Sequence, residues 1–111
     1  MHFTDRQEAG VTVVAAGGRM DAIGAPLLEQ HMNHLLAAGK NRVVVDCAEL
    51  EYVSSAGLRV FLAAAKQIRN AQGAFALASM SKGVREIFDI AGFSTIIAIY
   101  ATVAEAVKAC G

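Results

Sequence analysis

The sequence predicts an α/β fold: a mixed, mostly parallel sheet of four to five strands packed with about four helices. Three observations predict it. Short β-branched or apolar runs alternate with longer segments whose apolar residues recur at helical spacing. Gly or Pro marks most of the changes from one kind of segment to the other. The chain has 111 residues, 55% of them hydrophobic and 18% charged. That length and composition suit one globular domain over 1–111, burying roughly two-thirds of the surface its unfolded chain exposes.

Residues 2–8 are polar with weak alternation and read as an edge strand. Gly10 separates them from the β-branched run at 11–16, a strand expected to end or bulge at Gly17–Gly18. Pro26 fits the first turn of a helix over 25–38, where its missing donor costs nothing. Leu28, Met32, Leu35 and Leu36 form that helix's apolar stripe, and Gly39 is its natural stop. The nearly continuous apolar run at 42–47 suits a central strand. Residues 49–58 read as a connection into a helix over 56–71, striped by Leu58, Phe61, Leu62, Ala65 and Ile68. A strand at 74–78 follows, then a helix presenting Val84, Ile87, Phe88 and Ala91 and ended by Gly92. Residues 94–100 read as the last strand. Thr102 caps a final helix carrying Val103, Ala106, Val107 and Cys110. The resulting order, β-β-α-β-α-β-α-β-α, implies crossover helices between parallel strands.

Composition narrows the function. Ten basic and ten acidic residues cancel, and with no basic patch nucleic acid is a poor partner. Cys47 and Cys110 lack any metal or redox spacing and read as two reduced thiols of a cytoplasmic protein. The opening MHFTDRQEAG does not read as a leader, and no apolar run approaches the ~20 residues of a membrane span. Neither Gly17–Gly18 nor Gly24 belongs to a phosphate-cradling motif such as GxxxxGK[ST]; no cofactor is expected. His31 and His34, at i and i+3, lack a third ligand and read as a solvated helix face. A Ser-dependent hydrolase would need Gly-x-Ser-x-Gly and a base; the first is absent, and no His is placed to serve Ser55.

The stretch Val53–Ser54–Ser55–Ala56–Gly57–Leu58–Arg59 holds the most information. Two serines stand where a loop enters a helix. A Ser there caps the helix by accepting from an amide of its first turn. The same amides and the helix dipole tolerate an anion, so a phosphoserine would not break the fold. Gly57 lacks a side chain beside the serines, which would let another protein's backbone come close. From these residues alone, a simple cap is the stronger reading.

The run VVVDCAELEYVSSAGLRVFL at 43–62 resembles the signature of the STAS family, which includes the anti-sigma factor antagonists of bacterial partner-switching systems. Ser54–Ser55–Ala56–Gly57–Leu58 matches the family's Asp-Ser-Ser/Thr-Gly-Leu. GGRMDAIGAP at 17–26 is similar to its Gly-x-Leu-Asp segment, and the chain beyond residue 80 follows its helix, strand and helix. Ser54 stands where many members carry Asp, and Ala56 where many carry a second hydroxyl.

The resemblance implies a non-enzymatic binding protein of signal transduction and transcription regulation, phosphorylated on Ser55. It implies docking through Asp21, Ser54, Ser55, Ala56 and Gly57, and Arg59, one turn into the helix, is placed to face an acidic surface of the partner. The implied partners are an anti-sigma factor that is itself a serine kinase of the histidine-kinase ATPase type, and a PP2C-type phosphatase. Asp21 equally reads as a cap or turn residue, and Arg59 as a solvated helix charge. The alternative within the family is a scaffold of a stress-signalling or lipid-transport complex without a phospho-switch, or the cytoplasmic tail of an anion transporter. The short polar strand at 2–8 argues for a monomer when free.

Overall fold

The computed structural model describes residues 1–111. Its strands are β1 (His2–Glu8), β2 (Val11–Met20), β3 (Arg42–Asp46), β4 (Leu50–Val53), β5 (Ala74–Ala78) and β6 (Ala98–Tyr100). Its helices are α1 (Gly24–Ala37), α2 (Ser55–Asn70), α3 (Lys82–Ile90) and α4 (Val103–Cys110). The sheet runs β1-β2-β3-β5-β6, with β4 beside β2 off this path. Only β1 is antiparallel to its neighbour; β2, β3, β5, β6 and the β2–β4 pair are parallel. The α/β, mostly parallel architecture is the one expected.

Both faces of the central strands are covered, which is why β3 reads as an unbroken apolar run. Val43 and Val45 join Leu28, Met32 and Leu35 of α1 and Phe61, Ala64 and Ile68 of α2 on one side. Val44 points the other way, with Val11, Val13, Ala76 and Ala78, onto Ala106, Val107 and Cys110 of α4. α3 packs against β4, and its Phe88 meets Phe61 at 5.6 Å between ring centroids, tilted by 58°.

The sheet has six strands, one more than the sequence suggested. In sequence β4 resembles a connection because its pattern is not an alternation: Leu50 and Val53 are buried, Glu51 and Tyr52 exposed. A register shift explains this. Gly18 pairs with Leu50 but Arg19 pairs with Tyr52, so Glu51 is the unmatched residue of a bulge. The same irregularity carries β2 past its expected end. Gly18 adopts φ +105°, open to glycine, and the strand passes there from β3 to β4.

The last strand is shorter than expected. Phe93–Thr95 coils into a 3₁₀ turn instead, held by Ser94 Oγ donating to Asp89 Oδ1 at 2.6 Å and Thr95 Oγ1 donating to the Gly92 carbonyl at 2.9 Å. His31 is also not a solvated helix residue. Its Nε2 lies 2.8 Å from Asp5 Oδ1, and its ring stacks on Phe3 at 5.0 Å, joining α1 to the edge strand.

The two cysteines are free and buried on opposite sides of the sheet, Cys47 among the α1 and α2 side chains and Cys110 on the sheet-facing side of α4. Burial pushes the Cys47 thiol up to about 12 and raises that of Cys110 as well. The thiolate is the reactive form. Iodoacetamide at about pH 8 is therefore expected to label neither cysteine in the native protein and both in denaturant, read by intact mass. Labelling of folded Cys47 would show that the core opens there.

Candidate functional site

The site is built at the carboxyl ends of β2 and β4. Met20 and Val53 are paired, and the next amide along, Ser54 N–H, donates to the Met20 carbonyl at 2.8 Å. Asp21 and Ser55 each follow directly from this bond. Two parallel strands thus end side by side, each feeding a helix, and the starts of α1 and α2 share one rim.

Asp21 opens α1. Its Oδ1 accepts from the amides of Ile23 at 3.0 Å and Gly24 at 2.9 Å, and its carbonyl accepts from Ala25 N–H at 2.8 Å. The Gly24 and Ile23 amides hold the carboxyl below the ordinary carboxylate range. A carboxyl lowered on folding adds stability above its unfolded-state value and loses it as pH falls through the folded-state value. The melting-temperature gap between wild type and Asp21→Ala is therefore expected to be full at neutral pH and to close in acid, as measured by thermal melts from about pH 7 to pH 2. A gap independent of pH would remove the cap from the account.

Ser54 caps α2, its Oγ accepting from Gly57 N–H at 3.2 Å. The cap thus belongs to Ser54, and Ser55 stands exposed at the first helical position. A Ser in place of an acid keeps the capping oxygen but not the charge. Ala56 is half-buried against the core. Arg59 is exposed and lines a groove between α1 and α2 with Ala22, Pro26 and Glu29.

Gly57 requires a correction. It is buried, so it opens no approach for another protein's backbone. Its lack of a side chain serves the chain itself: a Cβ there would stand 2.9 Å from the Met20 carbonyl oxygen and 3.0 Å from Val53 Cγ1, with Met20 Cγ closer still. The glycine lets α2 begin flush against β2. Gly57→Ala is expected to cost about 1–3 kcal/mol by overpacking, measured by urea denaturation. A neutral effect would mean that Met20 yields freely.

Sequence reasoning passed over several neighbours. The Arg19 guanidinium lies 4.6 Å from the centroid of the Tyr52 ring, a cation–π contact across the bulged β2–β4 pair. Ile23 is 80% exposed and Leu27 43% exposed at the start of α1. Arg19 and Tyr52 each stand two residues before a residue that was singled out, but only the unrecognised β4 makes them partners.

No three His, Cys, Asp or Glu side chains gather to hold a metal ion. No helix is long and apolar enough to cross a membrane. Two of the three histidines have partners elsewhere, His31 with Asp5 and His2 3.7 Å from Glu49. The arrangement suits recognition: a fixed carboxylate, an exposed hydroxyl and apolar side chains on one rim.

Comparison with known proteins agrees with this architecture. The family model described as STAS domain matches residues 2–106. The candidate anti-sigma factor antagonist BtrV of Bordetella bronchiseptica is 39% identical over 99 residues, covering 89% of this chain and 85% of its own length. The crystal structure of an anti-sigma factor antagonist from Mycobacterium paratuberculosis superposes with a TM-score of 0.89 at 25% identity, covering 98% of this chain and 92% of that one. The Bacillus cell fate determinant SpoIIAA in its phosphorylated form shares the fold, with a TM-score of 0.73 at 17% identity over 97% of this chain and 98% of that one.

Proposed function

The chain belongs to the STAS domain family, and from that premise we propose that it is an anti-sigma factor antagonist switched by phosphorylation of Ser55. Unphosphorylated, the rim of Asp21, Ser54, Ser55, Ala56 and Arg59 docks onto an anti-sigma factor and frees the sigma factor. That partner is a serine kinase of the histidine-kinase ATPase type, which transfers phosphate from ATP to Ser55 and so ends its own capture. A PP2C-type phosphatase restores the hydroxyl. The chain is a substrate and a binder in this cycle and catalyses nothing.

The observation that carries the reading is the division of labour between the serines. Ser54 supplies the cap, so Ser55 offers an exposed hydroxyl on the rim that also carries the anchored Asp21 carboxylate. The helix start beneath it tolerates a phosphate. Likeness to proteins named as anti-sigma factor antagonists supports the partner class. That a protein of this fold exists in a phosphorylated form supports the switch.

The test mixes the purified protein with histidine-kinase-type anti-sigma proteins of the same organism and ATP–magnesium, and follows intact mass. One added phosphate, lost in Ser55→Ala and retained in Ser54→Ala, is the expected result. Tight binding without transfer would make the chain a STAS scaffold in which the serine pair only begins a helix. Neither binding nor phosphate would overturn the proposal.

A further inference from the structure

Four of the six arginines are engaged within the chain. Arg6 pairs with Glu8, Arg85 with Asp89, Arg42 donates to the Cys110 and Gly111 carbonyls, and Arg19 lies over Tyr52. Arg69, which is unpaired, stands in the last turn of α2, far from Ser55. Arg59 enters no ion pair either, although Glu29 of α1 lines the same groove. Beyond Asp21 no cation is spare: there Arg19 and the Met1 amino group face Asp21 and Glu51. Arg59 is thus the uncommitted cation near Ser55.

Its place on the helix is specific. Ser55 and Arg59 stand four residues apart on α2, and both are exposed. Residues at i and i+4 are neighbours on a helix surface, and anion before cation is the favourable order. Helical side chains lean toward the amino end, so an arginine at 59 covers the turn that Ser55 opens. Its planar fork matches two oxygens of a phosphate.

Resting on the function proposed above, we infer that Arg59 is the intramolecular counter-ion of phosphorylated Ser55, a latch that closes only on the modified chain. Asp21 does not compete for Arg59, because the Ile23 and Gly24 amides hold its carboxyl. Glu29 competes with one charge, against close to two on the phosphate. The latch gives phosphorylation a second effect. It withdraws Arg59 from the docking rim, while the pair still leaves about one net negative charge there. The partner loses a cation and meets an anion.

The test installs phosphoserine at position 55 during translation, so no kinase is needed, and titrates the phosphate by phosphorus NMR. Its second ionisation ordinarily falls at about pH 6. An adjacent cation favours the dianion and lowers that value. Wild type is expected to titrate about half a unit below Arg59→Gln, with Arg59→Lys between them. The offset should shrink at high salt. Lys66→Gln is the control: Lys66 is exposed on the same helix, about 16 Å further along, and its loss should leave the curve unchanged. The Arg59 Nε–H resonance should move through the same titration, a mark of contact that a distant field would not leave. Coincident curves for wild type and Arg59→Gln would overturn the inference. So would equal shifts in Arg59→Gln and Lys66→Gln, or an Arg59 resonance indifferent to the phosphate. A latch absent from a chain that the kinase does mark on Ser55 would overturn this inference alone. A kinase that leaves Ser55 unmarked would overturn the proposed function, and with it the regulatory meaning of the latch.

Discussion

Phosphate on Ser55 is expected to weaken binding to the anti-sigma partner about a thousandfold, roughly 4 kcal/mol. The modification adds close to two negative charges and three acceptor oxygens at the first position of α2. The fold should absorb it, because the amides and dipole of the helix start favour an anion and Ser54 retains the cap. The whole cost then falls on the interface. A charge desolvated there without a partner costs several kcal/mol, and the Asp21 carboxylate on the same rim adds repulsion. Calorimetric titration of the kinase with enzymatically phosphorylated and untreated protein measures the difference. Ser55→Ala should bind nearly as wild type, separating the lost hydroxyl from the added charge. An unchanged Kd after phosphorylation would end the case for a switch.

Phe61→Ala is expected to destabilise the protein by about 3–5 kcal/mol, a large share of the ~5–15 kcal/mol typical of a domain. Phe61 is among the largest fully buried side chains, and it sits where α2 meets the sheet and the Phe88 ring of α3. Truncation removes apolar contacts with α3 as well as with the sheet. It leaves a cavity that neither rigid helix can close. Urea titration should show a lower midpoint with little change in slope. By contrast, Arg59→Ala on the exposed side of the same helix should shift stability by no more than about 0.5 kcal/mol. Equal effects of the two changes would mean that α2 is not held by this packing.

The fold was legible where one rule governed a whole segment. The stripe of α1 and the unbroken valines of β3 each follow from a single period. Legibility failed where two rules met in a few residues. β4 is short and bulged at Glu51, so its inward Leu50 and Val53 stand three apart and mimic a loop. The expected strand at 94–100 was lost to side chains: Ser94 and Thr95 bond back into their own turn, a local competition that β-propensity does not register.

The site was legible as a motif but not as an arrangement. Ser54 and Ser55 could be singled out from their place at a helix entry, and Asp21 only from the resemblance to a family segment. Which serine caps the helix depends on backbone geometry at its entry. Gly57 was misread for a related reason. Its missing side chain accommodates Met20 and Val53, and Met20 lies on a strand that the sequence appeared to end earlier. Ile23 and Leu27 carried no signal at all, since an apolar residue beside a helix start reads as core until its exposure is known.

The passage of β2 from β3 to β4 has a bearing on how such modules diverge. The ends that carry Asp21 and Ser54 are tied by main-chain bonds and by a glycine in the floor, so the outward side chains around them do little for folding. Substitutions there cost within about 0.5 kcal/mol of stability, while each can add or remove a clash with a given partner. Copies of this domain that coexist in one cell could therefore be insulated from crosstalk by exchanging a handful of rim residues, with the chassis left as it is.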